Sequence, residues 1–115
     1  MGLVPERKKA RFHKKLEAVL LDTYEAIGGI DLAVIDATCA YSGPAARRAS
    51  DTNLLLVGRD AVAVETVGAV LVGMKPEKME VIQQAVERGL GEGNLENIEV
   101  LGSSIERLKS RFSQL

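Results

Sequence analysis

N-L-L-L-V-G-R-D-A-V-A-V-E-T-V-G-A-V-L-V-G, residues 53–73, is the stretch on which the fold turns. Its first six residues form a short apolar run closed by glycine, the pattern of a buried strand. Asp60 then stands directly before a long apolar segment, as a helix N-cap does, so a helix is predicted over about 61–73. Gly73 closes that helix. The segment is apolar nearly all round, which predicts burial on several sides. Glu65 is its one charged residue; its neighbours a turn away are Ala61, Gly68 and Ala69, with no Lys or Arg at helical pairing distance.

Outward from this core, Ile30–Asp36 (I-D-L-A-V-I-D) is a second apolar run, rich in branched residues and read as a buried strand. Before it, Leu16, Val19, Leu20, Tyr24 and Ile27 fall at helical spacing. They predict a helix over about 13–27 that ends at Gly28-Gly29, with Glu17, Asp22 and Glu25 toward water. Residues 37–52 show no clear period and read as a long connection, with a helical turn over 45–49; such loops are commonly functional.

Downstream, Lys75-Pro76-Glu77 opens a helix over about 77–89, with Met79, Ile82, Ala85, Val86 and Leu90 on one side and Pro76 in the first turn. Ile98–Leu101 reads as a third strand. Ser103 or Ser104 caps a last helix carrying Ile105, Leu108 and Phe112. Strand, helix, helix and strand in series predict a right-handed crossover between parallel strands. The expected fold is therefore α/β: a small, mostly parallel sheet of three to four strands packed with helices, in one domain spanning 1–115 with a basic lead over 1–12. So thin a sheet has edges that need a partner or a cover.

At 115 residues, 46% hydrophobic and 27% charged, the chain has the composition of one globular domain. Its apolar runs are too short to span a membrane, and no apolar region follows the basic lead as a secretory signal would require. The single cysteine, Cys39, excludes an internal disulfide framework and any metal or cluster site built from several cysteines of this chain; the expected setting is cytoplasmic. Residues 1–20 hold six basic side chains against two acidic, and residues 21–115 nine against fourteen. The lead offers only Phe12 and His13 as stacking groups, so nucleic acid is not the expected partner. No metal set and no cofactor motif is legible. Gly89-Leu90-Gly91-Glu92-Gly93 follows a helix, whereas the dinucleotide fingerprint follows a strand.

In open α/β sheets ligands sit beyond the carboxyl ends of parallel strands. Asp36 ends the strand read at 30–36, and Ser42, Gly43, Arg47 and Arg48 follow it; Arg59 and Asp60 follow the strand read at 53–58. With parallel strands these groups share one edge. A carboxylate, a hydroxyl, a glycine and guanidiniums there suit a small anionic ligand. Glu65 either pairs with Arg47, Arg48 or Arg59 or lines a solvent-facing stripe. The alternative for the whole set is capping, turning and solvated charge.

The chain resembles the carboxyl-terminal half of the domain-of-unknown-function family 362. The residues that carry the likeness are K-K-A-R-F-H (8–13), L-A-V-I-D-A (32–37), G-P (43–44), V-G-R-D-A-V-A-V-E-T-V-G-A (57–69), G-M-K-P-E-K (73–78), A-V-E-R-G-L-G (85–91) and I-E-V-L-G (98–102). The resemblance implies two-part members, of which this chain corresponds to one part, either as a cut domain or as a short paralogue lacking its other half. Some members carry a ferredoxin-like cysteine motif; this chain has none, so no cluster is implied. Two departures stand out. The family loop resembling E-G-x-G-P is here the shorter Tyr41-Ser42-Gly43-Pro44, and Ala61 stands where the family has proline.

Two functions follow as expectations. In the first, the domain supplies half of a ligand or redox site, with Asp36, Ser42, Gly43, Arg47, Arg48, Asp60 and Glu65 facing the joint. A missing amino-terminal half, a partner subunit or a second copy completes it. In the second, the chain is a structural or assembly module with no site of its own.

Overall fold

The computed structural model describes residues 15–43, 45 and 47–113. The expectations for the basic lead, His13 and Pro44 lie outside them. Helix α1 (Leu16–Ala26) leads to strand β1 (Ala33–Ser42) and strand β2 (Arg47–Gly58), then helix α2 (Ala61–Leu71). A 3-10 turn (Pro76–Lys78) precedes helix α3 (Glu80–Glu87), and a second (Leu95–Asn97) precedes helix α4 (Ile105–Phe112).

The expected mostly parallel sheet of three to four strands does not form. Among the described residues the sheet has two strands, β1 and β2, and they pair antiparallel from Ala33↔Gly58 to Ser42↔Arg47. The physical reason is the length of the connection. Four residues join the strands at Gly43, where φ is +75°, and so short a link serves only antiparallel neighbours. The segment read as a loop and helical turn over 37–52 is instead most of a long hairpin. Its alternation is hidden in the sequence because small and polar residues occupy the inward positions: Ala37, Cys39 and fully buried Thr52. The register slips twice, between Ala37 and Cys39 and between Ala40 and Tyr41. Each slip places an extra residue on β2, as a β-bulge does. The first coincides with Asn53, whose φ of +47° a short polar side chain tolerates.

Among the described residues no crossover exists, because 98–101 forms no strand. Ile98 packs inward, but Leu101 is 83% exposed and nothing in the sheet lies beside the segment to take its backbone hydrogen bonds.

Helix α2 is the centre of the molecule, as its apolar composition predicts. One side, with Val67 and Leu71, meets Leu108 and Phe112 of α4 and the inward hairpin residues Ala37, Leu54 and Leu56. Gly68 admits the hairpin closely: a Cβ there would stand 3.0 Å from Ile35 Cδ1. Another side, with Val62 and Ala69, meets Leu21 of α1 and Ile82 and Ala85 of α3. Thr66 lies fully buried, and its hydroxyl has no partner among the described residues. In α1 the buried residue is Leu21, one position off the expected stripe; Leu20 and Ile27 are 42% and 50% exposed. Asp22 and Glu25 are tied to α3 by Arg88, at 2.8 and 3.0 Å. These two contacts hold the Arg88 guanidinium more firmly protonated than usual.

The caps are local and conventional in their chemistry. Asp60 caps α2, and Ser104 caps α4, whose last turn carries Lys109 and Arg111 where the helix dipole favours cations. Arg111 also reaches across to β2. Its Nη1 donates to the Thr52 carbonyl at 2.9 Å and to the Asn53 carbonyl at 3.2 Å, beside the bulge. Pro76 opens a 3-10 turn and α3 begins only at Glu80, later than the expected helix start.

Candidate functional site

Antiparallel pairing separates the groups that parallel strands would have gathered. Ser42, Gly43 and Arg47 sit at the tip of the hairpin, with Arg48 opposite Tyr41 in the register. Arg59 and Asp60 follow the other end of β2. The ten residues of β1 separate the two ends by nine steps, about 30 Å at the usual rise per strand residue.

Asp36 is exposed on the outer face of β1. The next residue toward the strand start, Ile35, points at α2, so alternation turns Asp36 away from it. Its Oδ1 accepts the Thr38 N–H at 3.0 Å, which holds the carboxyl below its ordinary range. The surroundings are apolar. Val34 and Val57 face each other across the hairpin, Leu55 lies opposite Asp36, and Leu32 precedes the strand. All four are 55–60% exposed.

Asp60 is bound on both oxygens. Oδ1 accepts the Ala63 N–H at 3.0 Å, closing the first turn of α2, and Oδ2 accepts the Glu92 N–H at 2.8 Å. The second bond links α2 to the glycine-rich turn after α3, a contact that no local pattern in the sequence announces. Glu92 in turn accepts from the Asn94 N–H at 2.7 Å and from Asn97 Nδ2 at 3.2 Å, which orders the turn that follows. Asp60→Ala removes a cap and leaves the Glu92 N–H without its acceptor. It should cost about 1–3 kcal/mol in urea unfolding, and Asp60→Asn less, because the amide oxygen still caps.

Glu65 lies on α2 toward α1 and α3, away from the hairpin. It is exposed, and among the described residues it makes no ion pair with Arg47, Arg59 or any other cation. It stands at a cleft of about 270 Å³ lined otherwise by apolar side chains and Tyr24. Cys39 is half-buried in β1, and its thiol donates to Asp51 Oδ1 at 3.6 Å. Among the described residues no cluster of three or more His, Cys, Asp or Glu gathers at metal-holding distance. No described helix is long and apolar enough to cross a membrane.

Thus the structure brings Ser42, Gly43, Arg47 and Arg48 to one place. Asp36 is on the outer face, Asp60 is in a structural knot, and Glu65 is at a separate cleft. Sequence reasoning missed Tyr24 as a cleft residue, Glu92 as the partner of Asp60 and Gly91 as the residue that leaves room for its carboxylate; the spacing of Gly89, Gly91 and Gly93 was the available signal.

A β-hairpin laid on one side of a central apolar helix, with two further helices on another, defines a small α/β domain with a half-covered sheet. The chain belongs to the family described as Domain of unknown function (DUF362), whose model matches residues 1–70. That span takes in the motifs at 8–13, 32–37, 43–44 and 57–69; those at 73–78, 85–91 and 98–102 lie past it. No curated protein and no solved structure matches the chain.

Proposed function

We propose that this domain works as one part of a larger assembly, and that the outer face of its hairpin is the joint. The carrying observation is the exposed set Leu32, Val34, Leu55 and Val57, an apolar surface on a sheet whose other face is already covered. Apolar side chains on both faces are the mark of a strand designed for burial on both sides. On this reading the chain corresponds to the carboxyl-terminal half of a two-part protein. Another segment or subunit covers the hairpin, and Asp36 becomes a carboxylate enclosed at the joint, contributing half of a ligand site. Its acceptor bond from Thr38 favours the ionised form there.

Light scattering after size-exclusion chromatography, with binding of a hydrophobic dye, tests the reading on the chain itself. The expected result is concentration-dependent association or dye binding that Leu55→Lys and Val57→Lys abolish, with the melting temperature changed little because both residues are exposed. A chain that stays monomeric, leaves the dye dark and ignores both substitutions would overturn it. A second reading, a structural module with no site of its own, is favoured by the double use of Asp60 as a cap and a tie.

A further inference from the structure

The cleft between α1, α2 and α3 is independent of the hairpin face. Its floor is buried: Leu21, Val62, Ile82 and Ala85 are all less than 10% exposed. Leu20 and Leu90 form part of its wall. The volume of about 270 Å³ is just below the usual span of small-molecule sites, roughly 300–1,000 Å³, so an occupant must be small.

Its charge is one-sided. Among the described residues Glu65 is the single ionisable carboxylate in the lining, and no Lys, Arg or His lines the cleft. The nearby cation of α3, Arg88, is already engaged by Asp22 and Glu25. An anion entering here meets a carboxylate and an apolar floor. An ammonium group meets a counter-charge at Glu65 and an aromatic ring, Tyr24, of the kind that attracts cations. We propose that this cleft binds a small organic cation, an ammonium group on a short apolar body, with the body on the Ile82 floor and the charge at Glu65.

Backbone amide NMR shifts under titration with hexylammonium, hexanol and hexanoate test this on the full chain. Hexylammonium should give saturable shifts confined to residues around Leu20, Tyr24, Glu65, Ile82 and Leu90. Hexanol should bind more weakly, and hexanoate not at all. Glu65→Gln should weaken hexylammonium about three- to fivefold, the worth of a partly exposed ion pair, and leave hexanol unchanged. Because Glu65 is exposed, this variant should keep the wild-type melting temperature. Ala61→Met, which narrows the cleft, should weaken hexylammonium and hexanol alike. Equal affinity for hexanol and hexylammonium, indifference to Glu65→Gln, or shifts centred elsewhere would overturn the proposal. Association through the hairpin is read by separate variants, so either idea can fail alone.

Discussion

Alanine at Gly91 is expected to destabilise the domain by about 2–4 kcal/mol, from overpacking joined to a damaged helix cap. A Cβ there would collide with Asp60 Oδ1 and stand 2.8 Å from both Cβ and Cγ2 of Val62. Asp60 cannot swing away freely, because its oxygens hold the Ala63 and Glu92 amides. Val62 is buried in the core of α2 and cannot yield without disturbing Leu21 and Ile82. The requirement is space, since Gly91 has no positive φ. Gly89 is the useful contrast. It has φ of +70° and open space around its Cβ position, so Gly89→Ala should cost only the left-handed backbone penalty, about 1–2 kcal/mol. Urea unfolding should rank the two variants in that order. The Asp60→Ala/Gly91→Ala pair should cost clearly less than the sum of its singles, because removing the carboxylate removes part of the collision. Additive costs would mean that the two residues do not meet.

The second large effect is expected at Ile82, which is 1% exposed at the meeting point of α1, α2 and α3. Ile82→Ala removes apolar burial and leaves a cavity that the surrounding helices can close only partly, at about 2–5 kcal/mol; Ile82→Val should cost about 0.5–1.5. The loss should be uneven. Outside this apolar layer, which Leu21 and Ala85 share with Ile82, α1 and α3 are tied by the surface contact of Arg88 with Asp22 and Glu25, which is too exposed to substitute for a core residue. Hydrogen exchange should therefore quicken first in α1, while the hairpin side of α2, held by Leu108 and Phe112, keeps its protection. Uniform loss of protection, or a cost under 1 kcal/mol, would show that the α1–α3 layer is not held by this residue.

Helices announced themselves because their signals are local. Asp60 and Ser104 sit where an N-cap must, and Leu108 and Phe112 occupy one face at helical spacing; all this is read within a few residues. The sheet was harder. Residues 30–36 and 53–58 are recognisable as strands, but a continuous apolar run does not say whether its neighbour is parallel or antiparallel. The clue was the short turn around Gly43, whose flanks are masked by Ala, Thr, Ser and Asp. The false third strand had the opposite fault. Ile98–Leu101 has strand-forming residues and no neighbour to pair with, and β-propensity without a partner carries little weight.

The candidate site followed the sheet. Asp36, Asp60 and Glu65 were legible as unusual residues in apolar surroundings, since polarity against hydrophobic background is a property of the sequence. Their mutual positions depend on strand direction, and reversing one strand moves Asp60 to the far end of the hairpin from Arg47. The amino-acid order by itself determined the helices, the caps of α2 and α4, the apolar nature of α2 and the residues able to build a core. Tertiary structure alone decided that the hairpin covers only one of its faces, that Asp60 reaches Glu92 and that a cleft opens beside Glu65. Each of these depends on contacts between segments far apart in the chain, and local propensities carry no information about which distant partner a backbone or side chain will meet.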